Sequence, residues 1–115
     1  MTVILYHNPQ CSKSRATLAL LRERGIEPRI VEYLEAPPSA GELAAILGRL
    51  GMQPRELLRT KEPAYRSAGL DDPSLSREEL LALMVANPSV IERPIVVSGR
   101  RAAIGRPPED VLAIL

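Results

Sequence analysis

The chain has 115 residues, enough for one domain with a real core and too few for two. Fifteen basic and fourteen acidic residues leave a formal charge of +1, which excludes a broad field for nucleic acid or an anionic membrane surface. A single cysteine excludes an intramolecular disulfide and a cysteine-built metal cage, while the lack of Phe and Trp makes the core aliphatic and removes stacking platforms for bases. Thirteen of the fifteen basic residues are Arg, so arginine number identifies nothing and position has to.

Val3-Ile4-Leu5-Tyr6 is a short apolar run stopped by His7-Asn8-Pro9, and it reads as a buried strand. A helical pattern begins near Ser14. Arg15 to Arg24 is predicted as a helix with Leu18 and Leu21 on one face and Gly25 placed to end it. Cys11 falls at the junction of these two elements. The first N–H groups of a helix have no intrahelical partner and carry partial positive charge, so a thiolate beside them is stabilised. Its pKa is expected below the ordinary value of about 8.5, with Lys13 and Arg15 pushing the same way. A lone cysteine inside a helix is most often a small buried hydrophobe; between Asn8-Pro9 and a helix start it reads as reactive. Such a thiol suits a reducing compartment. No run approaches a membrane span and no charged-then-apolar leader opens the chain, so the expectation is a soluble cytoplasmic protein.

Arg29-Ile30-Val31-Glu32-Tyr33 alternates and is predicted as a second strand. Strand, helix, strand at this length is a βαβ unit with parallel strands and a right-handed crossover. Pro37-Pro38 breaks the pattern. Ser39 with Glu42 forms a capping box ahead of Leu43, Ile46, Leu47 and Leu50, and Gly51 closes that helix. Short helical pieces are predicted from Pro54 to Arg59 and from Glu62 to Ala68. A second capping box, Ser76 with Glu79, opens a helix carrying Leu80, Leu81, Met84 and Val85 that ends at Asn87-Pro88. Four helical pieces in a row exceed one crossover layer and read as an insertion over about 39–87. Arg93 to Ser98 returns to strand, and a tight turn near Gly99-Arg100 leads into Arg101-Ala102-Ala103-Ile104 as an antiparallel hairpin. Pro107-Pro108-Glu109-Asp110 starts a terminal helix with Val111, Leu112 and Leu115 on its apolar face. The order βαβ, helical insertion, ββα predicts an α/β protein of thioredoxin-like architecture, a four-stranded mixed sheet in a single domain over 1–115.

Cys11-Ser12-Lys13-Ser14 occupies the slot where thioredoxin-like proteins hold Cys-x-x-Cys, with Ser14 in place of the second cysteine. Cys11 can attack, but this chain has no thiol to resolve the product, so an external thiol is required. Ser14 reads as a hydrogen-bond partner at the helix start rather than a nucleophile.

The run His7-Asn8-Pro9-Gln10-Cys11-Ser12-Lys13-Ser14-Arg15 resembles the signature of the glutaredoxin-dependent arsenate reductase family. Glu56-Leu57-Leu58-Arg59, Glu92-Arg93-Pro94-Ile95-Val96-Val97 and Ile104-Gly105-Arg106-Pro107-Pro108-Glu109 resemble it too, in the same order from Tyr6 to Val111. The resemblance implies that Cys11 is the nucleophile toward arsenate and that Arg59, Arg93 and Arg106 clamp the oxyanion. Guanidinium groups offer forked donors suited to a tetrahedral oxyanion. It implies that His7 keeps Cys11 ionised or relays a proton, with a structural role as the alternative, and that Arg55 is the rival of Arg59 one turn earlier. The fold analogy places a cis-proline opposite the nucleophile, and Arg93-Pro94 fits that place. Ser14, Arg15 and Pro94 are supporting residues. Glutathione is implied as co-substrate and glutaredoxin as partner, with no bound cofactor or metal.

Two other classes stay open. A generic monothiol oxidoreductase acting on glutathionylated proteins would need no converging arginines. A non-enzymatic redox regulator of the same superfamily, of the kind that binds RNA polymerase, would be expected to carry Cys-x-x-Cys. A tetrahedral oxyanion site also admits phosphate or sulfate.

Overall fold

The computed structural model describes residues 2–115, and the chain divides into two compact units, Met1–Ala36 with Arg93–Leu115 and Pro37–Glu92. The first unit is built on a four-stranded sheet of β1 (Val3–Tyr6), β2 (Arg29–Val31), β3 (Ile95–Ser98) and β4 (Arg101–Ile104) in the order β2-β1-β3-β4. β1 runs parallel to β2, with Leu5 opposite Ile30, and antiparallel to β3, with Leu5 opposite Val96. β3 and β4 form the antiparallel hairpin, Ser98 opposite Arg101. Gly99 takes φ +60 in the intervening turn, a conformation that a side chain would disfavour. Helix α1 (Ser12–Glu23) crosses from β1 to β2. It packs with a C-terminal 3-10 segment, Pro108–Ile114, on a core of Leu5, Leu21, Val96 and Val111.

Several boundaries differ from the sequence expectation. α1 begins at Ser12 and not at Arg15, so Ser14 lies inside the first turn and Cys11 itself is the N-cap residue. β2 ends at Val31, because the Glu32 carbonyl accepts the amides of Glu35 and Ala36 and the chain turns there. β3 starts at Ile95, after Pro94, which has no N–H for a ladder. The terminal element is a 3-10 helix, the tighter form used in short pieces.

The second unit is helical. α2 (Ala40–Leu50) and α4 (Arg77–Ala86) pack against each other, with α3 (Pro63–Ser67) and 3-10 turns at Pro54–Leu57 and Pro88–Val90 between and after them. Both predicted capping boxes form. The Ser39 hydroxyl accepts from the Glu42 amide and the Ser76 hydroxyl from the Glu79 amide, each at 3.1 Å. The expected helix from Pro54 to Arg59 stops at Leu57, because Leu58 goes extended to bridge Ile91. Leu43, Leu47, Leu57, Leu70, Met84 and Val90 are fully buried in an aliphatic interior.

Candidate active site

Asn8 shapes the turn between β1 and α1. Its side-chain oxygen accepts the Gln10 amide at 3.0 Å, its carbonyl accepts the Cys11 amide at 3.0 Å, and Arg15 Nη1 ties the turn by donating to the Pro9 carbonyl at 2.8 Å. Cys11 then sits as N-cap in extended conformation, φ −93 and ψ 122, a residue 9% exposed with no side-chain cap bond to the helix. Burial pushes the thiol pKa up. The Ser14 backbone N–H, the Arg93 guanidinium and the Lys13 backbone N–H act against burial and prevail, so the thiol lies below its ordinary value.

Arg93 and Arg106 reach this sulfur from the other end of the first unit. Arg106 Nη2 lies 3.9 Å from Cys11 Sγ, and its Nε donates to the Arg93 carbonyl at 2.6 Å. Burial disfavours the Arg93 charge, but Tyr33 and Cys11 beside it favour the charge more, so the guanidinium stays cationic. The Arg93-Pro94 bond is cis, as the fold analogy implies, and the Arg106-Pro107 bond is cis as well. Gly105 locks the two segments together by donating its N–H to the Pro94 carbonyl at 2.9 Å. A Cβ on Gly105 would stand 2.5 Å from Thr17 Oγ1 and 2.8 Å from Pro94 Cγ, so glycine is required here by close approach. Thr17 is itself fixed on α1, its hydroxyl donating to the Lys13 carbonyl at 2.8 Å.

His7 and Ser14 form a buried pair, with His7 Nδ1 2.6 Å from Ser14 Oγ. Ser14 Oγ also accepts the Asn8 amide at 3.1 Å, so the hydroxyl is held by two neighbours. Burial lowers the His7 pKa; Glu32 opposes this, and Arg22 and Arg15 reinforce it. The imidazole is therefore neutral at pH 7. Its ring meets the hydroxyl of Ser14, whose own backbone N–H faces the sulfur.

Arg59 belongs to the helical unit. Its Nη1 donates to Glu62 Oε2 and to the Ser89 carbonyl, both at 3.1 Å, and its amide donates to the Val90 carbonyl at 2.7 Å. Arg55, its rival in sequence, gives its guanidinium to the Leu70 and Asp72 carbonyls and thereby holds the loop after α3. The first unit thus gathers Cys11, Arg93 and Arg106, with Ser14, Pro94 and His7 around them. Tyr33, Thr17, Asn8 and the close-packing role of Gly105 escaped the sequence reading. The Asn8-Pro9 turn signal pointed toward Asn8; nothing local marked Tyr33.

A cysteine at the N-terminus of the first helix, a cis-proline ahead of β3 and a mixed sheet in the order β2-β1-β3-β4 define a thioredoxin-like fold. Within that class the chain belongs to the ArsC family, whose pattern matches residues 6–114. It is 51% identical to an arsenate reductase of Haemophilus influenzae over 116 residues, covering 100% of both chains. It is 55% identical to the uncharacterized protein YfgD of Escherichia coli K12, over 98% of this chain and 96% of that one. The solved structure of an arsenate reductase from Vibrio cholerae superposes with a TM-score of 0.96 at 50% identity, over 100% of this chain and 98% of that one. Among the described residues, no helix is long and apolar enough to cross a membrane, and no group of three or more His, Cys, Asp or Glu is placed to hold a metal.

Proposed function

We propose that the protein reduces arsenate to arsenite through Cys11, with glutathione and glutaredoxin as reductants. The observation that carries this reading is the surrounding of one sulfur by two backbone N–H groups and two arginines, a set that favours both a thiolate and an incoming oxyanion. Attack of a thiolate on a doubly charged oxyanion is opposed by like charge. Preorganised donors that remove this opposition are the largest catalytic contribution such a site can make. Arg93 and Arg106 supply forked donors, and the amides at the start of α1 add to the anion site.

In the first step an S–As bond forms and an arsenate oxygen leaves as water. The thiol of glutathione then attacks, and the two sulfurs together give up the two electrons that take As(V) to As(III). Arsenite leaves. Glutaredoxin removes the glutathione from Cys11 by thiol–disulfide exchange and restores the thiol. The single cysteine of this chain makes the external thiol obligatory. His7 acts through Ser14, keeping the hydroxyl and the first turn of α1 in place while it remains neutral. Arg59 is assigned to the clamp by the resemblance of its segment alone. A thiol that has to stay reduced fits a cytoplasmic location.

The test is arsenate-dependent NADPH oxidation coupled through glutathione reductase, glutathione and glutaredoxin. Turnover is expected with the complete system, at most one adduct per chain without a small thiol, and none with Cys11→Ser. Arg93→Lys keeps the charge and loses the fork, so it is expected to lower kcat/KM by about tenfold or more. A fall in kcat assigns Arg93 to the transition state, whereas a rise in KM alone assigns it to ground-state binding. Arg59→Lys in the same assay decides the third clamp position. Sustained arsenite release without a small thiol would refute the mechanism. Turnover of glutathionylated substrates without any arsenate response would make the protein a monothiol oxidoreductase.

A further inference from the structure

Thr17 is fully buried on the second turn of α1, the helix that has Cys11 as its N-cap. Its hydroxyl donates to the Lys13 carbonyl at 2.8 Å, and this bond fixes the side-chain rotamer. The oxygen held in this way faces Gly105. A Cβ at Gly105 would stand 2.5 Å from Thr17 Oγ1 and 3.4 Å from its methyl carbon, so the hydroxyl makes the nearer approach. Pro94 closes the same space, its Cγ 2.8 Å from that Cβ position, and the Gly105 N–H donates to the Pro94 carbonyl at 2.9 Å. Three segments of the sheet unit therefore meet at one point. One is α1 with Cys11 at its start; Pro94 in the second follows Arg93, and Gly105 in the third precedes Arg106. At the sulfur, the result is Arg106 Nη2 placed 3.9 Å from Cys11 Sγ.

We infer that Thr17 is a positioning residue: its hydroxyl, pinned to the Lys13 carbonyl, is the stop against which Gly105 rests, and it thereby sets the reach of Arg106 to the Cys11 sulfur. A backbone seated directly on a fixed side chain has little room to slide, because close-packed interiors feel a change of one methyl group. The Arg93 carbonyl orients the Arg106 guanidinium by accepting its Nε at 2.6 Å, while Thr17 places the main chain from which that guanidinium extends. Attraction between a guanidinium and a thiolate falls with distance, so a shift of Gly105 leaves the thiolate less stabilised. The kinetic consequence rests on the arsenate reading above; the consequence for the thiol does not.

The test is the pH dependence of Cys11 alkylation by iodoacetamide without any substrate, in the wild type, Thr17→Val, Thr17→Ser, Arg106→Met and the Thr17→Val, Arg106→Met double variant. Thr17→Val keeps the branched shape but puts a wider, unpinned methyl where the hydroxyl stood. Its alkylation midpoint is expected to rise by about half a pKa unit, which is about threefold less thiolate at a pH below both midpoints. Thr17→Ser keeps the hydroxyl and its bond, so its alkylation midpoint is expected to stay with the wild type even where the lost methyl lowers the unfolding midpoint. In the Arg106→Met background Thr17→Val is expected to add no further shift, because the group being positioned is gone. An unfolding midpoint lowered in Thr17→Val with the alkylation midpoint unmoved would make Thr17 merely structural and overturn the inference. A shift that persists without Arg106, or one that Thr17→Ser shows equally, would overturn it as well. The expected alkylation shifts in a protein that never reduces arsenate would refute the substrate and leave Thr17 in its role.

Discussion

The two units solve the same local problem, starting a helix, in opposite ways. In the helical unit the serine caps of α2 and α4 each accept an amide, and the Glu42 and Glu79 carboxylates return to the cap amides at 3.0 Å. Gln53 is treated alike, its amide donating to Glu56 Oε1 at 2.9 Å. In the sheet unit α1 starts at Cys11 with no side-chain cap bond, and its first amides face a sulfur instead. Burial follows the same division. Among the described residues, the buried polar side chains His7, Asn8, Ser14, Thr17 and Ser98 all belong to the sheet unit, while the helical unit buries aliphatic residues. One unit turns its helix-start donors to its own caps; the other turns them toward a thiol. Local rules are broken where chemistry requires it.

The largest effects that sharpen this contrast come from the two interiors. Leu47→Ala in α2 removes a fully buried side chain from an aliphatic core, and its expected cost is about 2–5 kcal/mol, read from denaturant unfolding. Gly105→Ala adds a single methyl in the sheet unit, where Thr17 Oγ1 and the rigid Pro94 ring leave no room. The expected cost is about 1–3 kcal/mol. Because Gly105 precedes Arg106, the displacement is expected to raise the Cys11 alkylation midpoint too. A Gly105→Ala protein with unchanged stability and an unchanged thiol would show that this contact can relax, and the tight closure around the site would lose its importance.

The same contrast explains what could be read in advance. Ser39-x-x-Glu42 and Ser76-x-x-Glu79 announce helix starts within four residues, because both partners of each hydrogen bond lie in that window. The strand runs and the tight turn at Gly99 are equally local. The sequence pattern starts α1 at Arg15, three residues late, because Cys11 is not a residue that signals a cap. Tyr33 reads in sequence as the last residue of a strand, because its alternation continues that of β2, and the turn on the Glu32 carbonyl that ends the strand carries no glycine or proline to announce it. His7, Cys11 and Ser14 were legible as a cluster, but the sense of His7 was not. Only the buried Ser14 contact and the lowered imidazole pKa make it a neutral partner instead of a cation beside the thiol.

The smallest effect is the most discriminating, because it asks what the missing cap on α1 is for. Ser39→Ala or Ser76→Ala removes a formed cap, with an expected loss of about 1 kcal/mol each. Cys11→Ser does the reverse. A serine oxygen at this N-cap can accept the first-turn amides better than a neutral thiol, so the variant is expected to gain up to about 1 kcal/mol while losing all turnover. The gain has to depend on pH. The folded thiol lies below its ordinary value, so its stabilising effect is fully present above the unfolded thiol pKa of about 8.5 and is lost as pH falls through the folded value. Between those two values the unfolded chain holds a proton that the folded one has released, and wild-type stability rises with pH. The advantage of Cys11→Ser is therefore greatest in mild acid and shrinks across that window, as followed by urea unfolding in parallel buffers. An advantage constant with pH would mean that the amides and Arg93 do not stabilise a thiolate, and the difference between the two helix starts would then be one of packing alone.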